Sequence, residues 1–168
     1  VISSYSVAPV VCFGTIYGDA SGGKFTKHPD LRRVGCGLSK IDDSGNLLWA
    51  ISLNLAGKAQ TVPRGELFAI VRAAQLAPDG ATIYFVIDNH GNYDKFNSGQ
   101  SAALLTNNGD LFKIIFDEIR VKELIFTVRW MPSHLDESDL HWLPPDISAL
   151  DLKGNDFADK QADVAAIA

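Results

Sequence analysis

Near residue 62 the hydrophobic period of this chain changes, and that switch limits the possible folds more than any other feature. Upstream lie three short strand-like runs, VVCFGTIYGDAS (10–21), RRVGCGLSKID (32–42) and NLLWAISLNLA (46–56). The turn DDSGN joins the second run to the third as a hairpin, and SGGKFTKHPDL, broken by Gly22, Gly23 and Pro29, links the first two. Connections this short predict an antiparallel meander. Downstream, PRGELFAIVRAAQLA opens with proline at a permitted helix position, and Leu67, Ile70, Val71 and Ala74 recur at helical spacing. ATIYFVID is continuously apolar, as a strand buried on both faces must be. NGDLFKIIFDEIRV then reads as a second helix, ELIFTVRWM as a fifth strand, and LKGNDFADKQADVAAIA as a final helix; a short helix is expected near residues 92–98. The order βββαβαβα contains strand–helix–strand crossovers. It therefore predicts an α/β fold with a mixed five-stranded sheet, three antiparallel strands followed by parallel ones, flanked by helices.

A chain of 168 residues fits one domain, with a core expected over about residues 15–166 and an N-terminal extension over residues 1–9. No apolar run approaches the roughly 18 residues that cross a bilayer, so no membrane association is expected. The opening VISSYSVAPVVCFG has no basic leader, which predicts an intracellular protein, in cytoplasm or nucleus alike. Met131 is the sole methionine, and the chain is expected to be a fragment of a longer polypeptide. Cys12 and Cys36 both fall in strand-like runs and read as two buried thiols rather than a bridge. The net charge of −5 opposes a uniformly basic surface. For a nucleic-acid partner, acids must be concentrated in one site and the basic surface must be local or lie in another domain.

In open sheets, ligands bind in the crevice where strand ends meet. Asp19 ends the first strand and Asp88 ends the apolar one; each alone reads as an ordinary turn initiator. Glu66 stands early in the first helix, where an acid simply complements the helix dipole. His134 lies just past the last strand. The final helix carries Asp156, Asp159 and Asp163 at i, i+3 and i+7, with Phe157, Ala158, Ala162, Val164 and Ala165 expected on the opposite, packed face. Carboxylates gathered at one sheet edge repel by about 4 kcal/mol per close pair at an effective dielectric near 20. Such a cluster persists only with protons or hard divalent cations, Mg²⁺ or Mn²⁺, to neutralise it. Two such ions about 3.5–4 Å apart are a standard device for phosphodiester cleavage.

YGDAS, VPRGELFAIVRAA, YFVIDNHGN, RWMPSH and KGNDFADKQA, in this order and context, resemble the ribonuclease H family over nearly the whole chain. Gly35 and Gly37 match the small residues usual on its second strand. The resemblance implies that Asp19, Glu66, Asp88 and Asp156 match four metal-binding carboxylates holding two Mg²⁺ ions, with Mn²⁺ as substitute. Asp159 is assigned to the helix itself or a neighbouring loop, and Asp163 to solvent. The resemblance further implies that His134 matches a mobile catalytic histidine, and that Ser21, Gly22, Arg64 and Asn89 bind substrate. The activity implied is hydrolysis of the RNA strand of an RNA–DNA hybrid to 5′-phosphate and 3′-hydroxyl ends. The partners implied are that hybrid and a flanking reverse transcriptase or hybrid-binding domain, as in a retroelement polyprotein.

The chain departs from the family pattern in places. Ala20 follows the first aspartate where glycine is usual. Val62 and Pro63 precede the glutamate where cellular members carry Asn or Gln. Residues 94–113 hold only Lys95 and Lys113, not a basic helix. The loop after His134 is long and contains LHWLPPD, with His141 as a rival to His134. Integrases on a similar fold place their glutamate last, and proofreading exonucleases need Asp-x-Glu on the first strand; neither pattern is present. The alternative reading is a catalytically inactive module that binds nucleic acid or a protein.

Overall fold

The computed structural model describes residues 10–167; the N-terminal extension expected over 1–9 lies outside the described residues. β1 (Gly14–Ser21), β2 (Gly35–Ile41) and β3 (Leu47–Asn54) form the meander. There follow α1 (Val62–Leu76), β4 (Thr82–Ile87), α2 (His90–Asn97), α3 (Gln100–Ala103), α4 (Gly109–Val121), β5 (Ile125–Trp130) and α5 (Ala149–Ile167). The sheet order is β3-β2-β1-β4-β5. The β1–β2 and β2–β3 pairs are antiparallel, whereas β1–β4 and β4–β5 are parallel, as the change of period predicts. The C-terminal ends of β1, β4 and β5 consequently open on one edge.

Two cores hold the layers. The larger buries Ile16, Leu38, Leu67, Ile70, Phe85 and Phe112 with their neighbours, joining α1 and α4 to the sheet. The smaller gathers Tyr17, Val86, Met131, Ile147, Leu152 and Ala158. β4 reads as continuously apolar because Phe85, Val86 and Ile87 alternate between these two cores and all are fully buried.

Some boundaries differ from expectation. Cys12 precedes β1 rather than lying in it; its N–H bonds the Leu76 carbonyl at 3.1 Å, so it is buried without belonging to the sheet. Both cysteines are buried free thiols, their pKa pushed up to about 12 by burial. The final helix starts at Ala149, so its first-turn acid is Asp151 rather than Asp156. Val164 is exposed, not packed. The stripe against the sheet is instead Gly154, Ala158, Ala162 and Ala165, small residues that let α5 approach closely. At Gly37 of β2 a Cβ would lie 2.0 Å from the Ala158 carbonyl oxygen, so only glycine fits there. Among the described residues, no helix is long and apolar enough to cross a membrane.

Candidate metal centre

Asp19 is the sixth residue of β1, and its side chain is buried beneath the strand ends. The Ala20 N–H donates to its Oδ1 at 2.8 Å. Asp88 immediately follows β4, where the Trp130 indole donates to its carbonyl at 3.1 Å. Glu66 arrives from the second turn of α1. Thr61 caps that helix by accepting from Arg64 N–H, Pro63 occupies the first turn, and Gly65 sits where a Cβ would meet Val34 at 2.5 Å and Ala20 at 2.8 Å. That glycine brings α1 down until Glu66, 3% exposed, reaches the two aspartates. One carboxylate oxygen from each of Asp19, Glu66 and Asp88 lies within 4.8 Å of the other two.

Two acids of α5, Asp159 and the expected Asp156, border the same cleft. Asp156 is exposed and paired with Lys160 at 2.7 Å, whereas Asp159, also exposed, forms no ion pair among the described residues and adds its charge to the surroundings of Asp19. Helical geometry separates the two. At about 100° per residue, Asp156 lies roughly 160° around the helix from Ala158, which faces the sheet, but Asp159 lies only about 100° away. Asp163 is exposed, as expected. Asp19, Asp88, His134, Asn155, Asp156 and Asp159 all line a cleft of about 290 Å³. No sequence pattern marks Asn155, whose buried Oδ1 has no hydrogen-bond partner. His134 stands exposed at the cleft with a φ of +61°, a left-handed conformation uncommon outside glycine.

The residues expected to touch substrate also make contacts within the fold. Arg64 makes two bonds to Asp110, at 2.9 and 2.7 Å, and a third to Asn108 at 3.2 Å, tying α1 to α4. Asn89 caps α2 by accepting from Asn92 N–H at 2.9 Å. The Ser21 hydroxyl accepts from Gly23 N–H at 3.2 Å. Gly22 is buried against Thr26.

Electrostatics mark the cluster as strained for charge. Burial, then the neighbouring Asp88, pushes Asp19 up to about 8, with the Ala20 N–H opposing. Burial, followed by Asp88 and Asp19, holds Glu66 well above the usual carboxylate range. Burial and Asp163 raise Asp159, while the Asp19 carboxyl works against that rise. Glu66 Oε2 is buried and has no hydrogen-bond partner. An orphaned buried oxygen within an all-oxygen, high-charge cluster fits a hard divalent cation and suits no soft metal.

No protein-family model matches the chain, and no curated protein sequence matches it. Solved structures do resemble it. The prototype foamy virus protease–reverse transcriptase superposes with a TM-score of 0.68 at 17% identity, over 100% of this chain and 23% of that one. The PFV RNase H domain gives 0.64 at 18% identity, over 94% and 96% of the two chains. RNase H1 from the halophilic archaeon Halobacterium salinarum gives 0.56 at 14% identity, over 90% and 95%. The chain therefore spans about a quarter of the viral protease–reverse transcriptase and nearly all of the other two chains. Sheet order, crossovers and these superpositions define its class: the chain has the ribonuclease H-like fold.

Proposed function

We propose that this chain is a metal-dependent ribonuclease H that hydrolyses the RNA strand of RNA–DNA hybrids. The observation that carries the proposal is the convergence of Asp19, Glu66 and Asp88 within 4.8 Å around an orphaned buried carboxylate oxygen. Of the two α5 acids that line the cleft, we assign Asp159 rather than the expected Asp156 as the fourth, because it lies nearer the sheet-facing side of the helix and is free of the ion pair that holds Asp156 to Lys160. These four would hold two Mg²⁺ ions, or Mn²⁺ in their stead. When bound, such ions lower the pKa of a water and stabilise charge on the attacking and leaving oxygens of an in-line displacement. Each would serve as a carboxylate, and Glu66 would supply its unpaired oxygen. The exposed imidazole of His134, at the open side of the cleft, can take a proton from water or give one to the departing 3′-oxygen.

The foamy viral protease–reverse transcriptase is known in complex with an RNA/DNA hybrid, which supports both this substrate and a flanking polymerase domain for this chain. Incubation of a labelled hybrid with Mg²⁺, beside the Asp88→Asn variant, tests the proposal. Cleavage of the RNA strand by the wild type alone supports it. Binding without cleavage by either protein, with the flanking polypeptide supplied, would favour the inactive binding module.

A further inference from the structure

The charge of this chain is segregated. Lys24, Lys27, Arg32 and Arg33, four of its 15 lysines and arginines, fall within residues 24–33 beside the single acid Asp30. That segment carries +3 and the rest of the chain −8, together the net −5. Of the eleven cations elsewhere, Arg64, Lys113, Arg120, Lys122, Arg129 and Lys160 are each paired with a carboxylate, and the five without an ion pair among the described residues, Lys40, Lys58, Arg72, Lys95 and Lys153, are scattered along the chain. In the segment 24–33, no cation forms an ion pair among the described residues. An ordinary solvated surface intersperses the two signs, and this segment does not.

The fold puts this segment beside the acidic cleft. It leaves the C-terminal end of β1, on the sheet edge that carries Asp19 and Asp88. At about 3.3 Å per residue, its start at Gly23 lies at most roughly 13 Å from Asp19. That is about four base-pair steps of a duplex at 3.4 Å each. The loop is also anchored. Arg32 donates to the Thr26 carbonyl at 3.0 Å and to the Gln60 carbonyl, and the Gln60 side chain accepts from Val34 N–H at 2.7 Å. Arg32 is thus a brace, while Lys24, Lys27 and Arg33 stay exposed. Phe25, 40% exposed, lies with the Lys24 ammonium 4.9 Å from its ring centre.

We infer that Lys24, Lys27 and Arg33 form a phosphate track: they grip the backbone of the nucleic acid whose scissile bond lies at the acidic cleft. The inference rests on the proposed nuclease reading for that alignment. It explains how a chain of net charge −5 holds a polyanion without a basic helix after Asp88.

The test measures binding of a labelled RNA–DNA hybrid in Mg²⁺ at 50–300 mM salt, in an Asp88→Asn background so that no turnover intervenes. Lys24→Ala/Lys27→Ala/Arg33→Ala is compared with Lys58→Ala/Lys95→Ala/Lys153→Ala as a charge-matched control. Removing the cation from each neutralised phosphate should flatten the slope of log K against log[salt] by about 0.7–0.9. The track variant is therefore expected to lose about two to three in slope, with Kd rising tenfold or more at 0.1 M salt, and the control variant to shift less than about twofold. An unchanged slope and Kd in the track variant would overturn the inference. So would absence of hybrid binding by the parent, or binding of an acidic polypeptide such as polyglutamate as tight as that of the hybrid. A flattened slope in a protein whose intact Asp88 form cleaves nothing would keep the track and remove the nuclease reading.

Discussion

Asp19, on β1, and Asp159, ten residues into the helix that closes the fold, line one cleft. The cleft joins the first strand to the last helix, and of the two α5 acids that line it Asp156 is paired with Lys160, whereas Asp159 forms no ion pair among the described residues. Activity measured on hybrid in Mg²⁺ should therefore fall about 100-fold or more in Asp159→Asn, the scale of removing one electrostatic partner from a reacting group. Asp156→Asn should change kcat less than about threefold. The reverse order of effects would restore Asp156 to the metal set.

Much of this site was legible in the sequence, and the misses have physical reasons. Strand ends are marked by the change from apolar run to Asp, so pattern puts Asp19 and Asp88 at strand ends, while their shared role came from the resemblance. Glu66 followed from helix position after a proline start. On α5 the spacing i, i+3, i+7 puts three acids on one side, but which of them borders the sheet depends on where the packed stripe runs. Gly154, Ala158, Ala162 and Ala165 set that stripe, and a hydrophobic reading weights Phe157 and Val164 above glycine and alanine. The helix start is hidden for a related reason: Ala149–Asp151 follow Pro144 and Pro145, which punctuate the chain as a loop would. Arg64 looks available in the sequence because its partner Asp110 lies 46 residues away.

The raised Asp19 gives the metal-free protein a defined pH dependence. Its folded value, about 8, exceeds the ordinary carboxylate value, so the stabilisation is full below about pH 4 and is lost as pH rises through 8. In EDTA, Tm should decline from pH 6 to pH 9, and Asp19→Asn should reduce that decline, leaving the part that the likewise raised Glu66 contributes. Adding Mg²⁺ or Mn²⁺ at 100 times its Kd should restore about 2.7 kcal/mol at pH 8 in the wild type and little in Asp19→Asn. A wild-type Tm indifferent to both pH and divalent metal over this range would contradict the cluster.

Asp151 anchors the start of α5 from beneath. Arg129 of β5 donates to it twice, at 3.0 and 2.7 Å, the Tyr17 hydroxyl donates at 2.7 Å, and Ser148 N–H at 2.9 Å. Burial pushes Asp151 up, but the bonds from Arg129, Ser148 and Tyr17 outweigh it and leave the carboxyl below its usual value. Its contribution is therefore present above about pH 4 and lost as pH falls through the lower folded value. Breaking one side of a buried pair costs about 3–5 kcal/mol. Arg129→Ala should lie near the low end, since Arg129 is 31% exposed, and Tyr17→Phe should cost about 1–1.5 kcal/mol. Urea unfolding at pH 7 checks both.

The seat of α5 on the sheet couples packing to the cleft, and Gly37 tests that coupling. A methyl group there would press on the backbone carbonyl of Ala158, one residue before Asp159. Backbone cannot swing aside as a long side chain does, so the helix must lift. Overpacking of this kind typically costs about 1–3 kcal/mol. In Gly37→Ala the lifted helix would also draw Asp159 away from Asp19, so activity should drop by more than the loss of folded protein accounts for. The paired control is Gly57→Ala: a Cβ there meets nothing within 4 Å, and its φ of +90° strains the loop alone. That variant should lose stability while each folded molecule keeps wild-type turnover. Active-site titration with hybrid, normalised to the folded fraction from circular dichroism, separates the two. Equal turnover per folded molecule in Gly37→Ala and wild type would mean that α5 can move without disturbing the carboxylates.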